Sequence, residues 1–132
     1  MLNYVLRYVT VLIVLAAGDA VWLSYFAHTV FRPTLGAILL DDPRWVFVIA
    51  FYLLYTIAVL MFPVAAGLRA GSGFTALLYG AAFGLFAYAT YDLTNLATIR
   101  VWTMPLAVMD TAWGAALTAI ASVAGYLVSA RS

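Results

Sequence analysis

Four stretches of this chain, at residues 4–26, 45–67, 74–98 and 105–128, are each more than 20 residues long, largely apolar and nearly free of charge. Wound as an α-helix, a run of about 20 such residues matches the roughly 30 Å hydrocarbon core of a bilayer. The four runs take up most of the 132 residues. They predict an all-α polytopic membrane protein, a single transmembrane domain over residues 1–132 built as a four-transmembrane-helix bundle.

Composition narrows the chemistry. The chain is 67% hydrophobic and 8% charged, with a mean hydropathy of +1.09, whereas a soluble domain carries about 25% charged residues. Its charges are six Arg and five Asp, with no Lys and no Glu, for a net +1. That balance excludes a nucleic-acid footprint and an acidic tail. The absence of Cys excludes disulfides, thiolate nucleophiles and iron–sulfur ligation, and the absence of Lys excludes Schiff-base chemistry. The single histidine, His28, cannot ligate a haem from both sides. No cofactor and no metal are expected, and His28 near Asp41 and Asp42 is read as a solvated loop group.

The breaks between runs have local causes. Arg69, Gly71, Ser72 and Gly73 combine a charge with two glycines, which end one helix and permit a tight turn. Pro105 suits the first turn of the last helix. The first connection, residues 27–44, is longer, and its apolar centre at 34–40 is too short to span. A short interfacial or re-entrant helix is expected there. Small residues near Ala16 and Gly18 imitate a signal-peptidase site, but hydrophobicity continues to Phe26, so an uncleaved first helix is expected.

Orientation follows weakly from charge. Arg7, Arg69 and Arg131 fall on one side and Arg32, Arg44 and Arg100 on the other. The free amino group adds to the first, so the expectation is a bacterial inner membrane with both termini cytoplasmic. Gly80 and Gly84, like Ala121 and Gly125, form small-xxx-small pairs that let helix backbones approach. They are expected to pack within the bundle, with a homodimer seam through Gly80 and Gly84 as the alternative.

The most informative residues are Asp19, Asp92 and Asp110, which lie inside the apolar runs. A carboxylate at the centre of a membrane helix costs roughly 3 kcal/mol on insertion scales, so such residues usually face a cavity and carry a function. Counted from the ends of their helices, all three fall about 8–10 Å below the same membrane face. Trp22 follows Asp19 at i+3, and Trp113 follows Asp110 at i+3, giving DAVW at 19–22 and DTAW at 110–113. On the third run Tyr88, Asp92 and Asn95 share a face, flanked by Tyr91 and Thr94. Indole N–H, phenol and amide groups all hydrogen-bond carboxylates. The expected site is an aromatic-walled pocket formed by Asp19, Trp22, Tyr88, Asp92, Asn95, Asp110 and Trp113, near the outer leaflet. Three like charges in so dry a setting predict that at least one holds a proton at neutral pH.

With the YDLTN run at 91–95 and the two DxxW tetrads, the chain resembles, over nearly its whole length, an uncharacterised family of small bacterial four-helix membrane proteins. The resemblance implies four spans and gives weight to Asp19, Asp92, Asn95, Asp110 and Trp113, and it implies no activity. Three functions compete. A pocket of this kind suits binding or carriage of an amphipathic ligand such as a lipid, isoprenoid or hydrophobic cation. The Asp cluster could instead serve a lipid-modifying enzyme or its membrane subunit. Third, the polar cluster could hold a partner membrane protein in an assembly.

Overall fold

The computed structural model describes residues 2–40 and 42–131, without the side chains of Ala27 and His28. The expectations for Asp41 and for the His28 side chain therefore lie outside the described residues. Among the described residues the chain is helical. In order it forms α1 (Leu2–Phe26), α2 (Arg32–Leu35), α3 (Trp45–Val59), α4 (Ala65–Ala70), α5 (Gly73–Thr98) and α6 (Met104–Ala130). Four helices are long and apolar enough to cross a membrane: α1, the Trp45–Ala70 helix made of α3 and α4, α5 and α6.

Two π-helical turns interrupt the regular winding, and each stands at a proline. The turn Leu60–Val64 contains Pro63 and joins α3 to α4. Proline has no N–H and its ring collides with the carbonyl four residues back, so a widened turn relieves both conflicts at the cost of straightness. The turn Ala27–Phe31 precedes Pro33 and carries α1 into α2. The short helix expected between the first two spans is thus continuous with the first of them. It ends at Leu35, and residues 36–39 are turns and a bend where helix had been expected up to residue 40.

The other connections follow their sequence signals. Gly71 takes the left-handed conformation with φ 64°, and Ser72 N–H donates back to Gly67 O at 3.0 Å to close α4. Ser72 caps α5 by accepting from Thr75 N–H at 3.1 Å, and Thr103 caps α6 by accepting from Leu106 N–H at 3.3 Å. Pro105 sits in the first turn of α6.

α6 is the central helix. Of its most apolar 18 residues 44% are buried, against 11–17% in the other three long helices. It packs along α5 and crosses α1, while α3 lies chiefly on α1 and α4 on α5. The polarity is that of a chain in lipid. Leu2, Val46, Phe47, Leu54 and Phe86 are exposed, whereas Thr56, Asp92, Thr118 and Ser122 are fully buried. The buried hydroxyls find partners: Tyr55 OH and Thr118 Oγ1 share a hydrogen bond of 2.8 Å, and Ser122 donates to Thr118 O at 2.6 Å.

Close approach of α5 and α6 rests on glycine. A Cβ at Gly80 would stand 2.5 Å from Ser122 Oγ, and one at Gly84 would strike the Gly114 carbonyl. Both glycines are therefore used within the chain. The expectation that they pack within the bundle agrees with this contact with α6. Gly125 on α6 is filled in the same way by Val11 and Val64.

Candidate functional site

Asp19 is held from two other helices. Tyr52 OH on α3 donates to its Oδ2 at 2.5 Å, and Trp113 Nε1 on α6 donates to its Oδ1 at 2.9 Å. Both carboxyl oxygens are thereby engaged. A Cβ at Gly18 would meet the tip of Leu117, while Trp113 would stand at ordinary contact distance. The Trp113 ring also stacks on Trp22, with centroids 4.8 Å apart and planes 8° apart, and Trp22 in turn leans on Phe26 at 4.4 Å. The two DxxW tetrads thus interlock, the aspartate of the first with the tryptophan of the last.

Asp92 is fully buried between α5 and α6. Its Oδ2 accepts from Thr111 Oγ1 at 2.9 Å, while its Oδ1 has no N–H or hydroxyl donor. Its neighbouring acid is Asp110, the residue before Thr111 on α6. Arg32 and Arg100 stay exposed, and the hydrogen-bond partners of Asp19 and Asp92 are Tyr52, Trp113 and Thr111.

A cavity of about 440 Å³ opens among these groups, lined by Asp19, Trp22, Leu23, Phe31, Phe51, Tyr52, Tyr55, Ala87, Tyr88, Tyr91 and Asp110. Its origin is the fork made by the Pro63 turn. α4 stays on α5, while α3 leans toward α1 and leaves a gap between α3 and α5. The rim residues Leu23, Phe51, Ala87 and Tyr91 are exposed, so the gap faces sideways out of the bundle. The cavity lies in the half of the bundle that carries the 36–44 and 99–103 connections, away from the chain ends. A second cavity of about 320 Å³ lies between α5 and α6, with Asp92 and Thr111 as its polar lining.

The floor is built from aromatic contacts. Tyr55 stacks on Phe51 at 5.3 Å and meets Tyr88 edge-on at 6.2 Å. Tyr88 lies flat against the α6 backbone at Gly114, where any Cβ would strike its ring. Aromatic pairs in such offset and edge-to-face arrangements add to stability beyond the area they bury.

Of the seven residues expected from sequence, Asp19, Trp22, Tyr88 and Asp110 line the first cavity. Trp113 stands behind Asp19 as its donor, and Asp92 lines the second cavity. Asn95 lines neither cavity. Sequence reasoning missed Tyr52, Tyr55 and Phe51 on α3 and Phe31 in the π-helical turn. The spacing of Tyr52, Tyr55, Thr56 and Val59 on one face of an otherwise greasy helix was the available signal. Among the described residues no cluster of three or more His, Cys, Asp or Glu has metal-binding geometry.

No curated protein and no solved structure matches the chain. A family model does, over residues 4–127, under the description "Predicted membrane protein (DUF2177)". With four membrane-length helices and that match along nearly its whole length, the chain belongs to the DUF2177 family of predicted membrane proteins.

Proposed function

We propose that this membrane protein binds or carries an amphipathic molecule in the aromatic cavity, the polar end of the ligand near Asp19 and Asp110 and its apolar part along the tyrosine and phenylalanine walls. The observation that carries the reading is the cavity itself. Its volume of about 440 Å³ lies within the 300–1,000 Å³ typical of small-molecule sites, which combine apolar walls with a few placed polar groups. The exposed rim between α3 and α5 supports entry from the lipid phase. The bilayer half concerned is the one opposite the chain ends. With both termini cytoplasmic in a bacterial inner membrane, that is the outer leaflet.

The test is native mass spectrometry with lipid extraction on the purified protein, comparing wild type with Ala87→Trp. Ala87 is an exposed rim residue, so a tryptophan there blocks the mouth without disturbing buried packing. A molecule that co-purifies with wild type and is absent from Ala87→Trp is the expected result. Equal capture by both proteins, or capture by neither, overturns the reading.

A further inference from the structure

We propose that Asp110 is the residue that anchors the polar end of the ligand, and that this end is a hydrogen-bond donor, a hydroxyl or an amine N–H, on an apolar body. The inference rests on the cavity being a ligand site and assigns different roles to its two acids.

Asp19 and Asp110 are the carboxyl groups in the cavity wall. Asp19 already belongs to the framework. One of its oxygens accepts from Tyr52 on α3 and the other from Trp113 on α6, so it ties α1 to both helices. A ligand that chose Asp19 would have to compete with two bonds the fold has made. Asp110 is placed differently. It is half-buried and lines the cavity. Among the described residues, none of the hydroxyl or N–H hydrogen bonds ends on it, and Thr111 beside it donates to Asp92 instead. A carboxyl group accepts at about four lone-pair positions. Holding one away from water with those positions unfilled is costly, and a ligand that brings a donor removes the cost.

The rest of the wall favours the same class. No arginine lines the cavity, so an ionised phosphate or carboxylate head would meet two acids and no counter-charge. Of the lining phenols, Tyr52 is engaged with Asp19 and Tyr55 with Thr118, and the Trp22 indole nitrogen is buried. What the wall offers a ligand at Asp110 is an acceptor. A head that only accepts, such as a ketone or an ester, leaves it unpaired.

The experiment uses the full chain in neutral detergent and four probes that share an 11,12-dibromododecyl tail. They form two matched pairs: the primary amine with the trimethylammonium, and the alcohol with its methyl ether. Within each pair charge is constant and methylation removes the donor. The bromines quench tryptophan, and Trp22 stands in the cavity wall, so saturable quenching, corrected for partition into micelles, reports binding. The donor is expected to bind about tenfold tighter than its methylated partner in at least one pair, a difference of about 1.4 kcal/mol. A preference confined to the amine pair names an amine head, and one confined to the alcohol pair names a hydroxyl. Asp110→Leu, which removes both acceptor oxygens at similar volume, is expected to abolish the difference.

Equal binding within both pairs by wild type overturns the inference without recourse to any variant. A difference that survives in Asp110→Leu overturns the choice of Asp110 as anchor. If no probe binds but a molecule co-purifies with wild type and not with Ala87→Trp, only this inference falls. If nothing binds and nothing co-purifies, the ligand-site reading falls with it.

Discussion

Trp113 on α6 donates its indole N–H to Asp19 on α1 across 2.9 Å, so the acid of one DxxW tetrad is held by the tryptophan of the other. This contact ties the first and last long helices together at the edge of the cavity. Its ring does a second job by stacking on Trp22.

The two jobs can be separated. Trp113→Phe keeps an aromatic ring over Trp22 but leaves Asp19 Oδ1 without its donor. Hydrogen bonds to charged groups contribute about 1.5–3 kcal/mol, while interhelical bonds in membranes average nearer 0.6. A loss of about 1.5 kcal/mol is expected, read as a lower midpoint in reversible unfolding in mixed micelles. A loss no larger than that of a lipid-facing control such as Phe47→Leu would show that the bond carries little.

Tyr55 and Thr118 form a buried pair whose energetics a double-mutant cycle can resolve. Thr118→Val strands the Tyr55 hydroxyl, and Tyr55→Phe strands Thr118 Oγ1. Each single variant is expected to lose about 0.6–1.7 kcal/mol through the lost bond, with Tyr55→Phe no worse than Thr118→Val. The double variant should cost less than the sum, because no unpaired group remains. Simple additivity in the unfolding data would mean that the two hydroxyls are not coupled.

Gly114 and Gly71 predict opposite signatures for the same chemical change. Gly114→Ala drives a methyl into the Tyr88 ring and must push that ring into the cavity, at about 1–3 kcal/mol for overpacking. Ligand capture should fall together with stability. Gly71→Ala meets no neighbour but strains a residue at φ 64°, at about 1–2 kcal/mol. Melting and capture assays on both proteins should find reduced capture only in Gly114→Ala.

Pro63→Ala restores a backbone N–H and removes the ring that forces the Leu60–Val64 turn. α3 is then free to continue the line of α4 and close on α5, narrowing the fork. Interior proline costs a helix about 3 kcal/mol, so the variant should be at least as stable as wild type and yet capture less ligand. Undiminished capture would show that the fork does not depend on Pro63.

Much of this architecture was legible in one dimension. Apolar runs of bilayer length located the four long helices, because lipid demands that each span satisfy its own backbone groups. Gly71, Ser72, Thr103 and Pro105 marked the turn and the helix starts through their own conformational and capping chemistry. The cost of burying acid singled out Asp19, Asp92 and Asp110.

What the runs could not supply was the rotation of each helix about its own axis. In water an apolar stripe reports which face turns inward, but in lipid the outward face is apolar as well, so the stripe nearly vanishes. α3 shows the consequence, since Tyr52 and Tyr55 sit in a helix that is greasy all round. For the same reason spacing alone put Asn95 beside Asp92 in the site, while in the fold it lines neither cavity. Gly80 and Gly84 announced a close helix contact without naming the partner, and packing made that partner α6 of the same chain. Which donors hold each acid was likewise decided by the tertiary fold. Asp19 met Tyr52 and Trp113, whereas Asp92 met Thr111, because a carboxyl's partners are set by which side chains arrive within 3 Å, and those come from other helices.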